Sequence, residues 1–265
     1  LNLKSTYSPI NLLLGKKGQQ TDLGDETVKI GIYKKSFSHK SKINKCVMVI
    51  RNVRILICMN TIYYEAHNNL YLNLTNRCSA DCVFCIRNFA DGVYGYNLRL
   101  SKEPSTEEII GALEGLDLSN YREIVFTGLG EPTLRFDVVL AVTRWLKNRG
   151  LRVRLDTNGH AALINPKLDV IEELKKAGMD SVSVSLNAES EEKYNQLCRP
   201  VHKNAYRAIL DFVRGAKEAG ITTRVTVVKI PEIDVEKCRK VSEELGSDFH
   251  IRTLSEAASK EIEKH

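Results

Sequence analysis

One repeated pattern limits the architecture more than any other feature. From Tyr71 to Leu254, β-branched runs alternate with amphipathic helical stretches. Strands are predicted over residues 71–75, 123–128, 152–159, 181–188, 222–230 and 249–254. Helices are predicted over 105–116, 135–150, 166–179, 204–220, 234–246 and 255–265. Local chemistry supports these boundaries. Ser105 or Thr106 precedes a first turn rich in acids, Pro166 stands at a helix start, and Gly150 follows a helix end. A βα series of this kind builds a parallel sheet through right-handed crossovers. Six units fall short of the eight that close a (β/α)8 barrel. The expected fold is therefore α/β, a partial (β/α)6 TIM-like barrel, with a doubly wound sheet as the alternative. In both, chemistry gathers at the C-terminal ends of the strands.

The region before that pattern differs in charge. Residues 1–58 carry eleven Lys and Arg against three Asp and Glu, whereas the rest of the chain carries 28 against 30. The net charge of +6 thus belongs to the N-terminal segment, and the near-neutral remainder gives no support for nucleic-acid binding. "CVMVIRNVRILICM" (residues 46–59) is apolar, but Arg51 and Arg54 interrupt it and it is too short to span a bilayer. A single strand or helix is expected there, and no membrane anchor. The chain opens on Leu1, and Met59 stands where the regular pattern begins. We expect residues 1–58 to be a poorly patterned N-terminal extension, disordered or absent from the native product, and residues 59–265 to be the core domain.

Seven cysteines occur, with no secretory signal at the start, and their bunching argues against a disulfide scaffold. A reduced, cytoplasmic setting is expected. Cys78, Cys82 and Cys85 form C-x3-C-x2-C directly after the first predicted strand. Thiols at this density are read as ligands for zinc or for an iron–sulfur cluster, ahead of ordinary buried packing. A zinc site needs a fourth ligand, yet Cys198, Cys238 and the histidines are scattered. A ferredoxin-like carrier supplies four cysteines per cubane, so three leave one iron open to a substrate or cofactor. Cys238 falls inside an amphipathic helix and reads as packing.

Further polar segments stand at predicted strand ends. "TGLGEP" (residues 127–132) closes the second strand and "DTNG" (156–159) the third. "SVSVSLNA" puts Ser183, Ser185 and Asn187 on one face of the fourth by period two. Arg199 in "LCRP" is a candidate carboxylate clamp, and Lys229 and Arg252 are candidates to face a ligand. Residues 87–101, with Gly92 and Gly95 among tyrosines, suit a mobile lid.

Together these segments resemble the radical S-adenosylmethionine (SAM) superfamily over roughly residues 63–254. The resemblance implies that Cys78, Cys82 and Cys85 hold a [4Fe–4S] cluster whose fourth iron chelates the amino and carboxylate groups of SAM. One electron from the reduced cluster then breaks a carbon–sulfur bond, and the 5′-deoxyadenosyl radical released abstracts hydrogen from substrate. Phe84, just before the last cysteine, would lie beside the adenine. The family's GGEP segment corresponds to Gly128–Pro132, with Leu129 in place of the first glycine of the pair. Gly128, Gly130, Glu131 and Pro132 would then orient the methionyl amine. Asn158 would contact the cofactor, and Ser183, Ser185, Asn187 and Arg199 would meet the ribose hydroxyls or the methionyl carboxylate.

"NLYLNLTNRCSADCVFCIRN" with "LCRP" is most similar to the small TatD-associated radical SAM proteins. The partners implied are a one-electron donor of flavodoxin or ferredoxin type, a small-molecule or protein substrate of unknown identity, and a functional link to a TatD-type nuclease. The enzyme implied is oxygen-sensitive. Two other readings stay open: an activating enzyme that installs a glycyl radical on a protein partner, and a non-catalytic iron–sulfur or zinc module with a fourth protein ligand.

Overall fold

The computed structural model describes residues 60–254 in full, and residues 45–50 and 53–58 by their backbone. In the latter, β1 (Lys45–Ile50) and β2 (Val53–Cys58) pair antiparallel, Ile50 opposite Val53. The apolar run expected to be a single strand or helix is thus a hairpin. Its two halves are each rich in β-branched residues, and the Arg-Asn break falls between them. The expectations for residues 1–44 and for a helix over 255–265 lie outside the described residues.

The folded core opens with β3 (Tyr63–Ala66) and β4 (Asn69–Asn73), an antiparallel pair turned through His67 and Asn68, both at positive φ. A loop then leads to a small hairpin, β5 (Gly92–Val93) and β6 (Tyr96–Asn97), inside the segment read as a lid. The alternating series follows: α1 (Thr106–Glu114), β7 (Ile124–Thr127), α2 (Phe136–Lys147), β8 (Val153–Thr157), α3 (Ala161–Ile164), α4 (Val170–Ala177) and β9 (Ser181–Ser185). It ends with α5 (Glu191–Cys198), α6 (Ala205–Glu218), β10 (Thr222–Lys229), α7 (Val235–Glu244) and β11 (Asp248–Thr253).

The main sheet runs β11-β10-β9-β8-β7-β4-β3. From β4 to β11 all neighbours are parallel, as the βα rhythm demands, and β3 adds an antiparallel edge that was not expected. The edge strands do not pair, yet Tyr64 on β3 and Arg252 on β11 line the same cavity. The sheet therefore curls into an open, partial barrel. Its convex side carries the helices: α2 buries Val138, Val139, Val142 and Leu146, and α6 buries Ile209, Phe212 and Val213. Ile124, Phe126, Leu155, Val182 and Val184 complete that core, each at or below 1% exposure. The alternate strand positions are left to face the concave side.

One helix start moved and one helix was unexpected. Pro166 does not begin α4: Leu168 N donates to the Asn165 carbonyl at 3.0 Å, and Asp169 caps the helix by accepting from Glu172 N at 3.0 Å. Helix α5 was not predicted. It buries Tyr194, Leu197 and Cys198 alone, too thin an apolar stripe for periodicity to reveal.

Candidate active site

Strand β4 delivers the chain to the cysteine loop at its C-terminal end. Cys78, Cys82 and Cys85 are half-buried there and line one cavity of about 1050 Å³. The loop is held against the end of α5, where Asp81 N donates to the Cys198 carbonyl at 3.0 Å and Val83 N to that of Leu197 at 2.9 Å. Arg87 fastens it from the other side. Its guanidinium donates to the carbonyl of Ala80 at 3.0 Å, that of Asn76 at 3.3 Å and the Cys85 sulfur at 3.3 Å.

Each cysteine sulfur faces a donor. Asn158 Nδ2 stands 3.8 Å from Cys78 Sγ, Arg87 serves Cys85, and the Cys198 thiol donates to Cys82. That last bond lowers the Cys82 thiol and, with burial, raises Cys198. Burial, and then the Glu131 charge, push Cys78 up to about 12. Cys198 is fully buried behind Cys82 and is not part of the cavity wall.

Glu131 closes the next strand, β7, and is 2% exposed. Its Oε1 accepts from Thr133 N at 3.0 Å, Thr133 Oγ1 at 2.7 Å and Thr157 Oγ1 at 2.8 Å; Oε2 accepts only from Asn158 N at 2.7 Å. All four donors are neutral. Among the described residues no Lys, Arg or His comes within 4.0 Å of this carboxylate, and burial raises its pKa. The glycine beside it has a packing reason. A Cβ on Gly130 would meet the carbonyl oxygens of Arg77 at 2.2 Å and Thr75 at 2.5 Å, so Gly130 lets the β7 turn lie directly on the cysteine loop. Glu131 N completes that junction by donating to the Arg77 carbonyl at 2.8 Å.

The structure brings most of the expected residues to this cavity. Phe84, Gly128, Gly130, Glu131, Asn158, Ser185 and Asn187 all line it, while Pro132 starts the short 3-10 turn after Glu131. Ser183 sits one strand step deeper, in an adjoining chamber, where its hydroxyl accepts from Arg252 at 3.4 Å. Asn187 has positive φ and its side chain accepts from Val228 N at 3.2 Å, so part of its polarity is spent on the fold. Arg199 is not brought in. It is exposed, lines neither cavity, and ends α5 with a φ of 45°. Its backbone N–H donates to the Asn195 carbonyl and closes the helix in the left-handed region. Lys229 is likewise exposed and outside both cavities, whereas Arg252 lines both.

Sequence reasoning missed a buried polar chain behind the loop. His160 is wholly buried, with Nδ1 2.9 Å from Ser79 Oγ and Nε2 2.8 Å from Tyr194 OH, and Asn158 Nδ2 donates to the same Ser79 at 2.9 Å. Burial, reinforced by His202, lowers the imidazole to about 4. A single histidine after a strand carries no signal of its own. Arg87, two residues past Cys85, could have been noticed as a cation beside the thiols.

These residues fit a [4Fe–4S] cluster with SAM. Three thiols, each already met by a donor, border one cavity with an unpaired buried carboxylate that suits an ammonium. The sequence profile of the Radical SAM superfamily matches residues 72–245, well over half of the chain.

The chain belongs to the radical SAM superfamily.

Membership in the radical SAM superfamily implies a [4Fe–4S] cluster and SAM, and puts the chain in a family of enzymes. An uncharacterised protein of Methanocaldococcus jannaschii is 27% identical over 212 residues, covering 78% of this chain and 64% of the relative. A probable GTP 3′,8-cyclase of Saccharolobus islandicus is 30% identical over 191 residues, covering 70% and 56%. The chain thus spans less than two thirds of the length of these relatives. Among solved structures, Streptococcus suis SuiB bound to S-adenosylmethionine superposes with a TM-score of 0.54 at 19% identity, over 72% of this chain and 43% of SuiB. Methylornithine synthase superposes with a TM-score of 0.51 at 15% identity, over 71% and 54%. Both share the open α/β fold of this chain. Among the described residues no helix is long and apolar enough to cross a membrane.

Proposed function

We propose that this radical SAM protein binds a [4Fe–4S] cluster through Cys78, Cys82 and Cys85 and cleaves SAM reductively to abstract hydrogen from a substrate. One observation carries the reading: Glu131 is a buried carboxylate without a cationic partner among the described residues, in the same cavity as the three thiols. A buried charge left unpaired is costly, and an ammonium placed at its free Oε2 lone pair relieves that cost. Once reduced by an external one-electron donor, a cluster held by these three cysteines would supply the electron that breaks a carbon–sulfur bond of SAM, leaving methionine and a 5′-deoxyadenosyl radical.

The chain's own residues bind, orient and exclude water. Glu131 holds the methionyl amine, and the Asn158 amide fixes the rotamer of Glu131 by donating to Oε2. Phe84 gives the adenine an apolar wall, and Ser185 offers a hydroxyl to ribose or carboxylate from the end of β9. Arg199 stands exposed at the end of α5, outside this cavity. The β5–β6 hairpin lines the same cavity through Gly92, Val93 and Tyr94, and we assign it the covering role.

The motif set supports a place among the small TatD-associated proteins, with a flavodoxin- or ferredoxin-type donor, a cytoplasmic setting and oxygen sensitivity. Residues 1–58 fit an extension upstream of a core over 59–265. The test is anaerobic reconstitution with iron and sulfide, followed by dithionite and SAM. Formation of 5′-deoxyadenosine is expected. Its absence from protein with a spectroscopically verified cluster overturns the reading.

A further inference from the structure

Beside the cysteine-lined cavity lies a second chamber of about 580 Å³, and the two share Gly128, Leu129, Asp156 and Arg252 in their walls. It is built on the concave face of the sheet from alternate strand positions. Arg154 and Asp156 come from β8, Ser183 from β9, Arg224 and Thr226 from β10, and His250 and Arg252 from β11. Arg224 lies beside Ser183 in the parallel ladder, and Thr226 beside both Ser185 and His250. Ser183 stands two residues before Ser185, so the chamber sits about 6.6 Å deeper along the strands than the cysteine-lined cavity. Tyr64, Tyr71 and Tyr94 form the opposite wall.

Three guanidiniums thus face one small space. Arg154 is committed, pairing with both Glu123 and Asp156. Arg252 reaches Asp156 at 3.5 Å and Ser183 at 3.4 Å and is still 39% exposed. Arg224 has no ion pair among the described residues. Its ladder neighbour Asp248 lies outside the chamber wall and pairs with no cation either. A guanidinium is a fork of donors matched to two oxygens, and an unpaired one in a concave site is a receptor for an oxyanion.

We propose that this chamber binds the anionic end of the substrate, a phosphate ester or a carboxylate, through Arg224 and Arg252. The tyrosine wall covers the uncharged part, and the rest of the molecule extends across Gly128 and Asp156 toward the cysteines. The inference rests on the proposed SAM chemistry only for what happens next, since anion binding itself needs no cluster.

The test is isothermal titration calorimetry of the full chain with inorganic phosphate and, separately, with succinate, in both cluster-free and reconstituted protein. Saturable binding is expected for at least one anion. Preference for phosphate identifies a phosphate ester, and preference for succinate a carboxylate. Arg224→Gln should weaken binding by about tenfold or more, and Arg224→Lys by only a few-fold. Arg207→Gln, on the outer face of α6, serves as the control for diffuse surface charge. No saturable binding, or equal losses in Arg224→Gln and Arg207→Gln, overturns the proposal. Anion binding without 5′-deoxyadenosine formation leaves this chamber intact and removes the SAM reading; the converse removes the chamber alone.

Discussion

Glu131 is where the chemistry is most exposed to a single substitution. Gln keeps the shape but removes the charge that meets an ammonium, and a hydrogen bond to a charged group contributes roughly 1.5–3 kcal/mol. Glu131→Gln should therefore raise the KM for SAM by about ten- to a hundredfold, with cluster absorbance retained. Cys198 decides between the catalytic reading and a four-ligand module. It lies behind Cys82, outside the cavity wall, so Cys198→Ala should still assemble the cluster, whereas Cys82→Ala should not. Loss of iron from Cys198→Ala would favour the module.

His160 makes a pH prediction. Its pKa is lowered from 6.5 to about 4 in the fold, so between those values the unfolded chain binds a proton that the native chain does not. Its contribution to stability is complete above pH 6.5 and is lost as the pH falls toward 4, about 3 kcal/mol in all. Urea unfolding of the cluster-free chain should show this slope, flattened in His160→Gln. The thiols and Glu131 were legible because their types and spacing carry chemistry. His160 and Arg224 were not, because their meaning comes from neighbours distant in the chain, and residue type alone could not show that Arg199 stands at an exposed C-cap outside both cavities.

At the scale of elements, the βα rhythm was readable because each helix has a sustained apolar stripe and each parallel strand a β-branched run. What escaped was short or weakly patterned: β3 with four residues, α3 with four, and the polar α5. Their formation depends on partners, such as the pairing of β3 with β4. The junction between β7 and the cysteine loop is the element contact on which the site depends. Gly130→Ala forces a Cβ to within 2.2 Å of a backbone oxygen, so the loop must shift. Overpacking of this kind costs about 1–3 kcal/mol. Gly111→Ala in α1 meets nothing within 4 Å and should be neutral or stabilising by up to about 1 kcal/mol. Equal effects in the two variants, read by denaturant unfolding, would contradict the packing role given to Gly130.

For the whole molecule, the open barrel places the cysteine-lined cavity and the arginine-lined chamber in one groove. Strand ends carry the thiols and Glu131, and deeper positions carry the arginines, so a substrate held as proposed would present its upper part to the cysteines. The parallel order and the unclosed barrel were both legible from six βα units, but the approach of Tyr64 to Arg252 was not, since Tyr64 stands on the short antiparallel edge strand that no hydrophobic pattern marked. The central claim is that three thiolates leave one iron open to the amine and carboxylate of SAM. Electron–nuclear double resonance on the dithionite-reduced cluster, with SAM carrying ¹⁵N in its amino group, tests it directly. A nitrogen coupling that appears on SAM addition and is weakened in Glu131→Gln is predicted. A reduced cluster whose spectrum is indifferent to SAM would contradict it.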